Sequence, residues 1–239
     1  MGVDWPGYWG AIDRPHTMTI NLIIFDCDGV LVDSEPLAMR VLITAIAAQG
    51  IEITPEIAFR DYLGRSLASV SASLTNSHGV PLGATTLAAM RSELYALYRK
   101  ELRASPGLPD VLGHLTTPFC VASSSSPERI ILSLELTGLL PWFEHNIYSA
   151  SMVEHGKPAP DLFLHAAAAM RTDPQNCLVI EDSPAGITAA RRAGMHVLGY
   201  LGGSHVEPGG LRPIVEGLHP DAIFDDMNAL PDLVGSLSN

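Results

Sequence analysis

The sequence predicts an α/β protein, a doubly wound parallel sheet into which an all-helical unit is inserted. Three observations predict it. From residue 105 onward, short apolar runs alternate with helical patterns, and such alternation implies parallel strands joined by crossover helices. Residues 33–104 carry helical signals and no strand-type run, so the sheet-forming core is discontinuous, 18–32 plus 105–239, around a helical domain. The 239 residues are 47% hydrophobic and 17% charged, which suits a packed core and excludes a disordered chain.

Residues 1–17 read as an N-terminal extension, since they lack the basic start and apolar run of a secretory signal. Ile20 to Phe25 is apolar and β-branched and stops at Asp26-Cys27-Asp28-Gly29, as a buried strand ending in a functional turn would. Ser34 is expected to cap the next helix, with Pro36 in its first turn and Gly50 at its stop. Ser66 to His78 and Ala84 to Arg103 read as helices, the second with Leu87, Met90, Leu94 and Leu97 on one face. Pro106-Gly107 then breaks the chain ahead of a short helix. Strands are expected at Pro118–Ser123, Asn146–Ser149, Cys177–Glu181, His196–Leu201 and Ala222–Phe224, with helices at Pro127–Thr137, Asp161–Met170 and Pro184–Ala193.

The formal charge of −12 repels a nucleic-acid backbone and an anionic membrane, so neither is an expected partner. An anionic substrate would need local compensation from a divalent metal or a few Lys and Arg. Cys27, Cys120 and Cys177 are odd in number and lie in or beside apolar runs, which favours a reducing cytoplasm over a disulfide framework. No stretch approaches the roughly 18 uninterrupted apolar residues of a membrane span.

In an open α/β sheet, ligands bind at the carboxyl ends of the strands. Polar groups stand at four such ends: Asp26 and Asp28, Ser123, Lys157, and Glu181-Asp182. Turns after strands are often polar, so each alone is weak; together they suit phosphoryl transfer. A carboxylate can attack a phosphate ester, but both partners are anions and the site must supply positive charge. Clustered carboxylates suit a hard ion such as Mg²⁺, Lys157 adds a compact charge and Ser123 a neutral donor. Asp28 can serve as acid and base, and Gly29 permits a tight turn that brings backbone amides near phosphate.

Asp26-Cys27-Asp28-Gly29-Val30-Leu31-Val32-Asp33-Ser34 resembles the first signature of the haloacid dehalogenase superfamily, in its phosphatase and β-phosphoglucomutase-like branch. Val121-Ala122-Ser123 resembles the second motif, Gly156-Lys157-Pro158-Ala159-Pro160-Asp161 the third, and Val179 to Ile187, containing Glu181-Asp182-Ser183-Pro184, the fourth. The resemblance implies a Rossmann-like core with a helical cap that closes over small substrates. It implies Asp26 as the phosphorylated nucleophile and Asp28 as the acid/base, its backbone carbonyl also reaching Mg²⁺. Asp182 would complete the metal site, Glu181 would be a ligand or a partner behind one, and Ser123 and Lys157 would hold the phosphoryl group. The implied activity is Mg²⁺-dependent hydrolysis of a small phosphorylated metabolite such as a sugar, sugar-acid or polyol phosphate.

Two alternatives stand beside it. A β-phosphoglucomutase-type enzyme resembles this chain in all four motifs, but family mutases place a histidine where this chain has Ala38. A catalytically silent metal-binding protein is disfavoured by the intact set Asp26, Asp28, Lys157 and Asp182. Arg65 falls where family caps carry a substrate loop, against the plainer reading of a solvated loop arginine. Ser124 is either a substrate contact or a helix cap before Pro127. His155, His165, His196 and His205 share no metal-ligand spacing and read as structural or surface residues.

Overall fold

β1 (Leu22–Phe25) is buried at every position because both faces of the strand are covered. Ile23 and Phe25 enter one hydrophobic core, Leu22 and Ile24 the other, so a period-2 side-chain alternation serves two layers at once. The protein is described here from a computed structural model that covers residues 19–63 and 67–237; the N-terminal extension and Arg65 lie outside the described residues.

Four helices follow β1: α1 (Glu35–Ala47), α2 (Pro55–Tyr62), α3 (Leu67–His78) and α4 (Ala84–Glu101). They share a third core of their own, with Val41, Leu42 and Ile46 from α1, Ala58 and Tyr62 from α2, Val70 and Leu74 from α3, and Met90 from α4. The chain leaves and re-enters the sheet domain side by side: Asp33 N donates to Arg103 O at 3.0 Å, Ser105 N to Leu31 O at 3.0 Å, and Val32 pairs antiparallel with Ala104.

The remainder alternates as expected: α5 (Leu108–His114), β2 (Phe119–Ser123), α6 (Pro127–Leu136), α7 (Leu140–Phe143), β3 (Ile147–Ser149), α8 (Asp161–Ala169), β4 (Cys177–Glu181), α9 (Pro184–Arg192), β5 (His196–Tyr200), α10 (Leu211–Gly217), β6 (Ala222–Phe224) and α11 (Leu230–Leu237). The six strands are parallel, in the order β3-β2-β1-β4-β5-β6. α5, α6, α7 and α11 cover one face of the sheet, with Phe25, Phe119 and Phe143 meeting edge to face at 5.3–6.2 Å between ring centres. α8, α9 and α10 cover the other, through Phe163, Ile187 and Val215 among others.

This is the doubly wound sheet with a helical insertion that the sequence predicts. Its consequence for function lies in the strand order. β1 is central, flanked by β2 and β4, so the carboxyl ends of these three strands open onto one crevice where the winding reverses. The three cysteines are free and buried, and among the described residues no helix is long and apolar enough to cross a membrane.

Candidate active site

The ladder between β1 and β4 runs one step past the strand, because Asp26 N donates to Ile180 O at 3.0 Å. That bond fixes the Asp26 backbone at the rim of the sheet, directly beside the turn that ends β4. Gly29 follows with φ of +83°, a left-handed conformation that costs glycine nothing. A methyl group there would stand 2.0 Å from Asp182 Oδ2, so the glycine is also needed for clearance.

Lys157 joins the strands electrostatically. Its Nζ donates to Asp26 Oδ1 at 2.7 Å, Glu181 Oε1 at 2.7 Å and the Ala122 carbonyl at 3.1 Å, which uses all three ammonium protons. It also lies 4.8 Å from the Phe163 ring centre. The side chain is 4% exposed, yet its partners hold the ammonium above the ordinary lysine range against the opposing effect of burial. Glu181 is anchored from behind: Oε2 accepts from Ser183 N at 2.8 Å and Ser183 Oγ at 2.9 Å. A Cβ on Gly186 would sit 1.7 Å from its Oε1, so the first turn of α9 is open there to admit the carboxylate.

Asp28 faces a different set of partners. Ser34 Oγ donates to Oδ1 at 2.6 Å, Ser125 Oγ to Oδ2 at 2.5 Å, and Arg129 Nη2 to Oδ1 at 2.8 Å. Burial works to raise this carboxyl, but the Arg129 charge and the two hydroxyls outweigh it and hold it below the usual carboxylate range. Asp26 is the opposite case. Burial raises it well above that range, Lys157 pulls it down, and Glu181, Asp182 and Asp28 push it up again. Asp26 and Asp28, two positions apart, are thereby given different proton affinities, with Asp28 the more readily ionised of the two.

Asp26, Glu181 and Asp182 bring one carboxylate oxygen each within 4.8 Å of one another, all three buried. Burial raises Asp182 as well, with Glu181 adding to the rise and His205 opposing it. Oxygen-only donors, a surplus of buried negative charge and two raised carboxyls fit a hard divalent cation, which would relieve all three. The Asp28 carboxylate, occupied by Arg129 and the serines, points to that group instead of this cluster; the resemblance had assigned its backbone carbonyl.

Ser123 ends β2, is 1% exposed, and its hydroxyl accepts from Ser125 N at 3.1 Å. Ser124 is exposed and, with Ser123, Asp26, Asp28, Lys157, Glu181 and Asp182, lines a cavity of about 770 Å³ between the sheet rim and the helical insertion. Ala38 lines it too.

Three expectations are corrected. Ser34 stands at the N-cap position of α1 but its side chain does not cap the helix: its backbone is helical and its hydroxyl is spent on Asp28. The cap of α6 is Ser126, whose hydroxyl accepts from Arg129 N at 3.4 Å, and not Ser124. His205 is not a plain structural or surface histidine; Nε2 lies 2.8 Å from Asp182 Oδ2, with the ring 1% exposed beneath Gly29 and Gly203. Arg65 lies outside the described residues.

Sequence reasoning passed over Ser125, Arg129 and Glu35, and named His205 without its role. The serine run could have pointed to Ser125. Arg129 reaches Asp28 only through the pitch of α6, and His205 only through the loop after β5, neither of which leaves a mark in residue spacing. Glu35 lines the cavity, and burial, with the Asp28 charge behind it, pushes its carboxyl up to about 7.

The family model for haloacid dehalogenase-like hydrolases matches residues 20–194. A 6-phosphogluconate phosphatase of Escherichia coli (strain K12) is 33% identical over 216 residues, spanning 90% of this chain and 94% of that protein. Among solved structures, a haloacid dehalogenase-like protein of unknown function from Agrobacterium tumefaciens superposes with a TM-score of 0.81 at 33% identity, covering 92% of this chain and all of the other. A HAD family hydrolase from Deinococcus radiodurans, with bound phosphate and sodium, gives 0.75 at 30% identity over 92% of this chain and 97% of its own. With the family model spanning most of the chain and the first relative matching nearly its full length, this protein belongs to the haloacid dehalogenase-like hydrolases.

Proposed function

We propose that the protein is a cytoplasmic phosphatase that hydrolyses a small phosphorylated sugar, sugar acid or polyol through an aspartyl-phosphate. The observation that carries this reading is Lys157 Nζ bridging Asp26 Oδ1 and Glu181 Oε1 at 2.7 Å each, beneath a cavity that also exposes Asp28. The relative named for 6-phosphogluconate supports the substrate class. The buried free cysteines suit a reducing compartment. Within this reading the cap is residues 33–104 and the core is 18–32 with 105–239.

An Asp26 carboxylate oxygen attacks phosphorus, the bond from phosphorus to the ester oxygen breaks, and the leaving alkoxide takes its proton from the protonated fraction of Asp28, a small one because Arg129 and the serines favour the ionised form. Asp28, now ionised and held by Arg129, Ser34 and Ser125, takes a proton from water as that water attacks phosphorus; the bond to Asp26 breaks and inorganic phosphate leaves. Lys157 and the Ser123 hydroxyl face the phosphoryl oxygens, where charge gathers. Asp26 and Asp182 would hold Mg²⁺, which when bound supplies positive charge to the phosphoryl oxygens. Glu181 is the anchor of Lys157, since both its oxygens already accept hydrogen bonds.

Asp182→Ala is expected to raise the Mg²⁺ concentration for half-maximal activity by about tenfold or more, as loss of a hard ligand should. Titration of chelator-treated enzyme, with calorimetric Mg²⁺ binding beside it, measures this; unchanged metal dependence would remove Asp182 from the metal site.

Hydrolase and mutase share a phosphorylated Asp26 and differ in what accepts the phosphoryl group. Ala38 lines the cavity and can neither hydrogen-bond nor relay a proton, so nothing at that position delays attack by water. With a phosphorylated sugar in ¹⁸O-labelled water, the expected products are stoichiometric labelled phosphate and no positional isomer. Isomer forming faster than phosphate, with or without a bisphosphate primer, would replace the phosphatase reading with the mutase.

A further inference from the structure

α4 turns one face to the cavity, formed by Ala84, Leu87, Ala88, Arg91, Leu94 and Tyr95, which recur at the three- and four-residue intervals of a single helix side. Five of these are apolar or aromatic. Arg91 stands in their midst, facing a cavity where apolar packing alone would need no charge.

Among the described residues, the other cations that line the cavity are already committed. Lys157 is held by Asp26 and Glu181, Arg129 by Asp28, and His205 lies against Asp182. Arg91 makes no ion pair or hydrogen bond with a described residue. A guanidinium placed on an apolar face opposite a catalytic rim, and left unpaired by the protein, is suited to an anion that arrives with the ligand.

We infer that Arg91 is a specificity-determining residue that pairs with a carboxylate at the far end of the substrate, which makes the preferred substrate a phosphorylated sugar acid. This rests on the phosphatase reading above. The phosphate goes to the Asp26 and Lys157 end, and the carbon chain lies along Leu87, Ala88 and Leu94. The fork of N–H donors on Arg91 matches the planar, singly charged carboxylate in a bidentate pair. A second phosphate fits less well. Its charge of about −1.5 to −2 would exceed what one guanidinium offsets, in a cavity that also holds Glu35.

The test compares kcat/KM for 6-phosphogluconate, glucitol 6-phosphate and fructose 1,6-bisphosphate, which share a terminal phosphate and differ at the other end. The unaltered protein is expected to prefer the acid over the polyol by about tenfold or more, the size of one charge-assisted pair. Arg91→Gln should collapse that ratio toward unity, chiefly through KM, and Arg91→Lys should keep part of it. Circular dichroism and the thermal midpoint confirm that both variants fold. An acid-to-polyol ratio that survives Arg91→Gln overturns the inference, as does a preference for the bisphosphate that Arg91→Gln removes. p-Nitrophenyl phosphate separates the two levels. If neither it nor any sugar phosphate is hydrolysed with Mg²⁺, the phosphatase reading fails and takes this inference with it; hydrolysis with no preference for the acid sinks the role of Arg91 alone.

Discussion

Asp26→Asn is expected to abolish turnover, lowering kcat by on the order of 10⁴-fold or more, while the fold survives. The substitution keeps the shape of the side chain but removes the attacking oxygen. Its amide can still occupy the place beside Lys157, whose Nζ retains Glu181 Oε1 and the Ala122 carbonyl as acceptors. Phosphate release measured beside the thermal midpoint decides the matter. Release near the unmutated rate would show that Asp26 is not the nucleophile, and a lost transition would assign it a structural duty instead.

Lys157→Met should have the largest effect on stability. Asp26 and Glu181 have side chains 10% and 1% exposed, and the lysine is their shared counter-charge. Breaking a buried pair by removing one partner costs about 3–5 kcal/mol, or roughly 6–20 °C in Tm for a chain of this size. The loss should depend on pH in a definite direction. Burial already raises the Asp26 carboxyl and Lys157 restrains it, so without the lysine its pKa rises further above the unfolded value. A folded state that binds the proton more tightly than the unfolded state loses stability as pH climbs past the unfolded pKa. The deficit should therefore be smaller at pH 5 than at pH 7.5. Thermal melts in metal-free buffer at both values test this, and a deficit that grows on acidification would contradict the electrostatic account.

The sequence made the alternation of strands and helices legible because a buried parallel strand is a short apolar run whether or not its partners are known. Cys177–Glu181 and Ala222–Phe224 were read with the ends they have in the structure. The order of strands was not readable, since nothing in β1 says that β2 and β4 are its neighbours. α2, α7, α10 and α11 were not singled out because elements of four to eight residues show too little periodicity, whereas α5, equally short, is marked by the Pro106-Gly107 break before it. The same division holds at the crevice. Residues that end a strand announce themselves by position, as Asp26, Ser123 and Glu181 do. Those that arrive from the flank, Arg129 by a turn of helix and His205 by a loop, become visible only when the chain is folded.

The side-by-side exit and return of the chain at Leu31–Asp33 and Arg103–Ser105 has an evolutionary consequence. An insert whose two ends are already hydrogen-bonded neighbours asks nothing of its own length, and loop-closure theory makes each doubling of that length cost only about 0.6 kcal/mol. The segment can be enlarged, trimmed or exchanged while the registers of β1 against β2 and β4 stay as they are. Selection can thus revise the inserted helices without disturbing the sheet, and a cassette excised after Ser34, so that its bond to Asp28 is kept, and before Ala104 is the natural unit for grafting a foreign insert onto this framework.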